Sequence, residues 1–262
     1  MLYPSTPFPG AEDPPPLRIA VCLNSYNSRF LPAVEASYVR ALGRAAPDAA
    51  LAFFESAQKG EFPEPSQFDL IVLGGANVDP RASWDFVLKI HGFIRTLVAQ
   101  YPDKKVVGIC WGHQTISRVF GADIVNMDVP EMGVTSINLT EEGRKFFPHA
   151  AATGVVRLQQ HHRREVAAAP AKFAPLAQGS QIFLNDNNTI LTFQGHPEKD
   201  AQTARLRMHD TQRWFGFDAL DEKAWARLEA QIETHHDGDA IWRRVVRWVR
   251  EPSRGLYAPQ PS

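Results

Sequence analysis

One cysteine of the sequence stands in a context suited to covalent catalysis. Gly108-Ile-Cys110-Trp-Gly112 follows an apolar run that predicts a strand and precedes a stretch that predicts a helix. A nucleophile elbow needs this order, because small residues two positions to either side let the chain turn sharply under the nucleophile. The helix N-terminus beneath the sulfur favours the thiolate, which is the attacking form. The pattern predicts Cys110 as a nucleophile, with the backbone N–H of Trp111 directed at the oxyanion that forms.

A thiol nucleophile needs a base, and the base needs a group that orients it. Among nine histidines, only His196 comes with such a partner immediately after a predicted strand, in Gln194-Gly-His196-Pro-Glu198. Residues i and i+2 of an extended segment project to the same side, so the Glu198 carboxylate can reach the imidazole ring. The sequence therefore predicts a catalytic triad of Cys110, His196 and Glu198, provided that folding brings the two motifs together.

Alternating strands and helices are the elements that must position these residues. Each predicted strand is an unbroken apolar run, which is typical of a parallel sheet covered by helices on both faces. The predicted strands of this part are Leu17–Leu23, Leu51–Phe54, Asp69–Leu73 and Lys105–Ile109. The predicted helices are Phe30–Arg44, a helix capped by Ser83 with an apolar stripe of Phe86, Ile90, Ile94 and Leu97, and Gln114–Phe120.

The second half of the chain changes character. Residues 123–193 are richer in strands, predicted at Gly133–Leu139, Gly154–Leu158, Gln181–Leu184 and Thr189–Phe193, with a hairpin turn at Asn185–Asn188. Helices are predicted at Ala201–Phe215 and Ala240–Arg250. We therefore expect a Pro-rich, mobile leader at residues 1–16, one α/β domain at 17–215 with a strand-rich insertion, and a helical extension at 216–262 packed on that domain.

Composition narrows the classes of protein that remain. The 262 residues include 28 Lys and Arg against 29 Asp and Glu, a formal net charge of −1, which supplies no field for nucleic acid or anionic lipid. No run of ~18 apolar residues is present, and the first residues lack the basic start and apolar core of a secretory signal. Two cysteines cannot build a disulfide framework, and Cys22, inside an apolar strand, is assigned to the core. We expect a cytoplasmic protein that binds neither nucleic acid nor a membrane.

Other candidate sites have ordinary explanations. The pair His161-His162 and the segment Glu233–Asp237 lack the ligand set and spacing of a metal site. Neither a dinucleotide-binding glycine pattern nor a phosphate-binding loop occurs. The basic helix Ala240–Arg250 could dock a partner, but its apolar stripe more often packs on its own domain with the arginines in solvent. We expect no metal and no cofactor.

Two motifs together carry a family resemblance. Gly-Ile-Cys-Trp-Gly-His-Gln at 108–114 and Gln-Gly-His-Pro-Glu at 194–198 resemble the class I glutamine amidotransferases over roughly residues 17–200. Within that family the chain is similar to free-standing members, namely the fungal glutamine amidotransferase-like proteins and the plant γ-glutamyl peptidases. The resemblance implies a three-layer, flavodoxin-like α/β fold with a mostly parallel sheet and flanking helices.

The resemblance also implies roles for individual residues. Cys110 would be the nucleophile, His196 the base and Glu198 the group that orients it. The oxyanion would be held by the N–H groups of Gly75 and Trp111. Residues implied to bind the substrate are Gln114, at the glutamyl end, and Gln160, His161 and His162, near its α-amino and α-carboxylate groups. Many relatives have His-x-Asp where this chain has His162-Arg163-Arg164, and this exchange of an acid for a base can change which substrate end is recognised.

The implied activity is hydrolysis of a γ-glutamyl amide through a cysteine thioester, on a small-molecule substrate. As an amidotransferase, the protein would deliver ammonia to a synthase on a separate chain, for example in fungal secondary metabolism. As a γ-glutamyl peptidase acting on glutathione-type conjugates, it would need no acceptor. A non-catalytic binding protein on the same fold is the alternative from a different class. A redox-sensing or chaperone-like role is disfavoured, because a sensor needs no base such as that in His-Pro-Glu.

Overall fold

A computed structural model of the chain describes residues 15–216 and 219–254. The leader that we expected to be mobile, residues 1–16, lies outside this description except for its last two residues. The end of the C-terminal extension, residues 255–262, lies outside it as well.

The elements of the described chain alternate as predicted in the first half. The strands are β1 Arg18–Cys22, β2 Ala50–Phe54, β3 Leu70–Leu73, β4 Lys105–Ile109, β5 Ile124–Asn138, β6 Val155–Val166, β7 Phe173–Pro175, β8 Ile182–Asn185 and β9 Ile190–Phe193. The helices are α1 Leu31–Ala45, α2 Ser56–Lys59, α3 Asp85–Gln100, α4 Trp111–Val119, α5 Glu141–Phe146, α6 Ala201–Phe215, α7 Glu222–Ile232 and α8 Gly238–Val249.

Seven of these strands form one twisted sheet in the order β2-β1-β3-β4-β9-β8-β7. The first five run parallel, and the hairpin partners β8 and β7 are antiparallel to their neighbours. Strands β5 and β6 form a separate antiparallel ribbon. A mostly parallel sheet with flanking helices is the fold class expected from the sequence, and it is confirmed.

Burial on both faces explains why the central strands read as continuous apolar runs. Alternate residues point to opposite faces of a strand, so Ile19 and Val21 of β1 join one core while Ala20 and Cys22 join the other. The first core includes residues of α1 and α8, and the second includes residues of α3 and α4. Cys22 is fully buried, in agreement with its assignment to the core.

Helix α8 packs its apolar stripe onto the first core, against α1. Ile241, Trp242, Val245 and Trp248 are all fully buried. The expectation that the arginines of this helix lie in solvent is wrong for Arg244. Its guanidinium lies 3.9 Å from the centroid of the Phe146 ring, donates to the carbonyl of that residue and pairs with Glu251 at 2.7 Å, because these partners lie within its reach.

Several boundaries differ from the predicted ones. Trp84, not Ser83, is the N-cap of α3, and it makes no side-chain capping bond. Helix α4 begins at Trp111, three residues earlier than predicted, because the elbow passes directly into the helix: the N–H of Gln114 donates to the carbonyl of Cys110 at 3.0 Å. The ribbon strands β5 and β6 extend well beyond the two predicted segments. The sequence predicts none of the short elements β7, α2 and α5, and it places α7 only within the helical extension, without bounds.

Candidate active site

The turn between β4 and α4 holds Cys110 in a strained conformation. Its φ is 52° and its ψ −104°, and a non-glycine residue at such a positive φ costs ~1–3 kcal/mol. The strain is maintained because the backbone is fixed on both sides. The N–H of Cys110 donates to the carbonyl of Phe193 in β9 at 2.7 Å, and its own carbonyl accepts the first bond of the helix.

The two flanking glycines are required by close approach of the backbone. A Cβ at Gly112 would overlap the carbonyl oxygen of Leu73 and lie 2.9 Å from its carbonyl carbon. A Cβ at Gly108 would lie 2.7 Å from Cδ1 of Ile116 and 2.9 Å from the backbone of Gly112. These contacts explain why the elbow needs glycine two residues to either side of the cysteine.

The segment after β9 orients an imidazole. Nδ1 of His196 lies 2.7 Å from Oε1 of Glu198, and both side chains are buried. A carboxylate only accepts, so Nδ1 carries the proton and Nε2 is left as the acceptor nitrogen. The backbone N–H of His196 donates to the carbonyl of Gln159 in β6 at 2.8 Å, which fixes the segment against the ribbon.

Folding brings the sulfur and the imidazole into one small space. A Cβ placed on Gly75, in the loop after β3, would lie 3.9 Å from Sγ of Cys110 and 3.0 Å from Cε1 of His196. The three residues line a common pocket. The loop, the elbow and the His-Pro-Glu segment follow the carboxyl ends of β3, β4 and β9, which meet at one edge of a parallel sheet.

Burial keeps the resting cysteine and histidine uncharged. It raises the pKa of the Cys110 thiol to about 11, although the nearby charge of Lys199 acts to lower it. Burial also lowers the pKa of His196 to about 4, a shift that Lys199 reinforces and Glu198 opposes. The N-terminus of α4 favours the thiolate, but burial of the sulfur raises the pKa by more than the backbone N–H of Trp111 lowers it.

Cys110 lines two small pockets. Each pocket is named after a residue that lines that pocket and not the other. The His196 pocket is lined by Ser25, Val34, Ser37, Gly75, Ala76, Asn77, Cys110, His161, His196, Glu198, Lys199, Thr203 and Arg207. The Gln114 pocket is lined by Ala76, Asn77, Cys110, Gln114, His161, His162, Arg163, Arg164 and Phe215. A molecule that reaches from one pocket to the other passes the sulfur.

The four residues implied to bind substrate fall into different places. Gln114 lines its pocket and donates from Nε2 to the carbonyl of Arg164 at 2.7 Å. His162 lines the same pocket, with Nε2 2.9 Å from a carboxylate oxygen of Glu131. Gln160 is in the walls of neither pocket; its side chain is buried and donates to Gln181 at 2.9 Å.

His161 lines both pockets and is held neutral. The hydroxyl of Thr211 donates to the carbonyl of Arg207, so Nε2 of His161 must be the donor in its 2.8 Å bond to Thr211. Burial lowers the pKa of this imidazole well below its ordinary value. The backbone carbonyl of His161 lies 3.7 Å from Sγ of Cys110 and accepts a hydrogen bond from the thiol.

Arg164, where the resemblance implied an acid, is partly neutralised. Nε of Arg164 lies 3.3 Å from Oδ2 of Asp79, and its side chain is mostly buried in the wall of the Gln114 pocket. Burial lowers the pKa of Arg164, and the charge of Asp79 opposes this shift. The exchange therefore places a paired guanidinium beside the pocket.

Two cations of the His196 pocket were missed by the sequence reading. Lys199 directly follows the His-Pro-Glu motif and is 5% exposed, and Arg207 is 6% exposed. The signal for Arg207 was available: Thr203, Arg207 and Thr211 recur every four residues and so share one face of α6. Nothing in the sequence marks Lys199 as buried, since charged residues are seldom enclosed.

Residues 15–216 and 219–254 contain neither a group of metal ligands nor a membrane-spanning helix. In this part of the chain no three His, Cys, Asp or Glu side chains are grouped as a metal ion would require. Nor does any helix there have the length and apolar character needed to cross a bilayer.

Comparison with known proteins agrees with the fold and the motifs. The family model described as glutamine amidotransferase class-I matches residues 37–213. The chain is 32% identical to the glutamine amidotransferase-like protein chyE of Penicillium rubens, over 90% of this chain and 98% of that protein. It is 23% identical to gamma-glutamyl peptidase 3 of Arabidopsis thaliana, over 72% and 78% of the two chains.

A solved structure resembles the fold across nearly its whole length. The crystal structure of a glutamine amidotransferase from Thermotoga maritima superposes with a TM-score of 0.69 at 17% identity, covering 90% of this chain and 99% of that one. With the sequence matches above, the chain belongs to the class I glutamine amidotransferase family, as its two motifs indicated. Members of this family act on glutamine or γ-glutamyl substrates.

Proposed function

We propose that this protein is a cysteine-dependent hydrolase of γ-glutamyl amides. The observation that carries the proposal is the bond between Nδ1 of His196 and Glu198, made beside a cysteine held at positive φ. A buried carboxylate that fixes the tautomer of an imidazole next to a thiol is the arrangement of a nucleophile, a base and an orienting group.

The reaction follows from these protonation states. Nε2 of His196 takes the thiol proton as Sγ of Cys110 attacks the side-chain amide carbon, and an S–C bond forms. The imidazolium, stabilised by Glu198, then returns that proton to the amide nitrogen, the C–N bond breaks, and ammonia or an amine leaves. Water, deprotonated by the same Nε2, then attacks the thioester carbon. The C–S bond breaks, free glutamate leaves, and the imidazolium returns the proton to the sulfur, which restores the thiol.

Two backbone N–H groups are proposed to stabilise the oxyanion. The N–H of Trp111 faces the sulfur and lowers its pKa. Nδ2 of Asn24 donates to the carbonyl of Gly74 at 3.0 Å, and in a trans peptide the N–H of Gly75 then points the opposite way. Among the described residues nothing accepts from this N–H. Loss of one such donor typically costs ~100–1000-fold in rate.

The proposal has two forms, which differ in what becomes of the released ammonia or amine. The similarity to fungal glutamine amidotransferase-like proteins over nine-tenths of the chain supports an amidotransferase that supplies ammonia to a separate synthase, for example in secondary metabolism. The similarity to a plant γ-glutamyl peptidase supports release of an amine without an acceptor. Both forms share the thioester and the triad.

The test measures glutamate release from glutamine and from γ-glutamyl dipeptides. We expect Cys110→Ala to lower kcat by roughly 10⁴-fold or more, since removal of a nucleophile disables the triad as a unit. The matched control is Cys22→Ala, which removes the other buried thiol. Hydroxylamine should divert the wild-type reaction to γ-glutamyl hydroxamate. Equal activity of Cys110→Ala and wild type would refute the mechanism, and the absence of turnover and binding for every γ-glutamyl compound would favour a non-catalytic protein.

A further inference from the structure

Lys199 is a buried cation without a bonded partner. Its side chain is 5% exposed and lies in the wall of the His196 pocket. Within residues 15–216 and 219–254, no hydrogen bond or ion pair engages its ammonium group. Burial lowers its pKa to about 8, although the charges of Glu198 and Cys110 act in the opposite direction. An enclosed charge without a partner is unfavourable, and an anion in the pocket would relieve it.

The other charged side chains that line this pocket, Arg207 and Glu198, already have bonded partners. Arg207 bonds to Asp210 at 2.6 Å, and the carboxylate of Glu198 accepts from His196. The charge of Arg207 disfavours the charge on Lys199. Among the described residues, Lys199 is therefore the cation of this pocket whose ammonium group is left without a bonded partner, although the charge of Glu198 acts on it.

The position of the base decides which end of a substrate enters this pocket. His196 must return its proton to the departing nitrogen, and His196 lines the His196 pocket but not the Gln114 pocket. The departing group therefore lies beside Lys199. The glutamyl end occupies the other pocket, beside Gln114. Ammonia from glutamine carries no charge that Lys199 could recognise, whereas an amino acid carries its carboxylate two bonds from the departing nitrogen.

We propose that Lys199 is a specificity-determining residue that binds the carboxylate of the departing group. Arg207 lies in the wall of the same pocket. The preferred substrate is then a γ-glutamyl amino acid or peptide rather than glutamine. This inference rests on the proposed hydrolysis and assigns the His196 pocket as the departing-group subsite. The C–N bond that breaks, the proton from His196 and the water that completes the reaction are those given above.

A simpler role for Lys199 is that of a counter-charge for Glu198 and for the sulfur as it ionises. The two roles differ in substrate dependence. A counter-charge acts on the triad, so its loss slows every substrate alike. A carboxylate subsite acts only on substrates that carry the carboxylate.

The experiment compares γ-glutamylglycine with γ-glutamylglycinamide, which differ only in the charge of the departing group. We expect wild type to prefer the glycine compound in kcat/KM. Lys199→Met should reduce that preference by roughly 10–100-fold, the range for a lost hydrogen bond to a charged group. Lys199→Arg should retain more of it than Lys199→Met. Lys89→Met, which removes an exposed lysine of α3, is the matched control and should retain the full preference.

Each remaining outcome decides between the roles. An equal loss on both substrates, or an unchanged preference in Lys199→Met, would overturn the subsite. If wild type hydrolyses neither of these compounds nor glutamine, the proposed function fails by itself. The subsite is then judged by calorimetric binding to Cys110→Ala protein with and without Lys199→Met, where equal affinity for the two compounds overturns it. Thermal unfolding of each variant shows whether it is folded.

Discussion

At the scale of single residues, enclosure rather than exposure sets the chemistry. Cys110 and His196 are buried, so neither carries charge at rest, and the proton must move as the sulfur attacks. Glu198 fixes the imidazole tautomer at a distance of 2.7 Å. Lys199 favours the ionised sulfur and disfavours the protonated imidazole, so it assists ionisation of the thiol but opposes transfer of the proton to His196.

The acid limb of the pH profile should report His196. Burial and Lys199 lower its pKa to about 4, and below that value the protonated ring cannot accept the thiol proton. We therefore expect kcat/KM to be retained as the pH falls through the ordinary histidine range and to be lost only near pH 4.

Lys199→Met supplies the matched test of that assignment. Removal of the nearby positive charge should raise the pKa of His196 and move the limb to higher pH. A wild-type limb at about 6.5, the ordinary histidine value, would contradict the proposed neutral pair. Unfolding measured at each pH separates loss of activity from loss of structure.

At the scale of elements, the elbow depends on the fit of α4 against β3. The chain leaves β4, turns at Cys110 and enters α4 without an intervening loop. Gly112, in the first turn of α4, is pressed against the backbone of Leu73. The position of the sulfur is thus fixed by contacts between main chains, which a side chain cannot relieve by changing its rotamer.

Substitution of Gly112 should measure this contact. We expect Gly112→Ala to lower the free energy of unfolding by at least ~1–3 kcal/mol, as overpacking does, because its Cβ would overlap a backbone carbonyl. Urea unfolding is the measurement.

Gly92→Ala is the matched control. Gly92 lies inside α3 with nothing within 4 Å of its added Cβ, so alanine should stabilise the helix by ~0.5–1 kcal/mol. If the two variants lose the same stability, close approach is not the reason for Gly112.

At the scale of the whole molecule, Gly75, Cys110 and His196 lie together at one edge of the sheet. Helix α8 packs elsewhere, against α1 on the first core. Helix α6 brings Arg207 to the His196 pocket, and the ribbon β5–β6 brings His161, which bonds to Thr211 of α6, to both pockets. Helix α8 contributes no residue to the His196 pocket or the Gln114 pocket, but it buries two tryptophans in the first core. We expect this helix to be needed for the stability of the α/β domain.

Trp248 tests the dependence of the domain on α8. Its ring is fully buried, Nε1 donates to Asn188 at 2.8 Å, and the ammonium of Lys105 lies 4.5 Å from its centroid. We expect Trp248→Ala to cost ~3–5 kcal/mol, the range for large core aromatics, within one cooperative transition.

Trp84→Ala is the control, because Trp84 is 53% exposed, and it should cost far less. Two separate unfolding transitions in the Trp248 variant would show instead that α8 unfolds independently of the sheet.

The sequence by itself determined the local chemistry and the class of fold. Apolar runs and helical periodicity predicted the central strands and most helices, and glycine two residues either side of Cys110 predicted the elbow, because these depend on near neighbours in the chain. What only the tertiary structure decided depends on distant segments. Burial made the thiol neutral, and the bond to Gln181 holds Gln160 away from the pocket walls. Lys199 lines a pocket together with Val34 and Ser37 of α1, far away in the chain. Proximity of Cys110 to His196 belongs to the same group, since it arises from the pairing of β4 with β9.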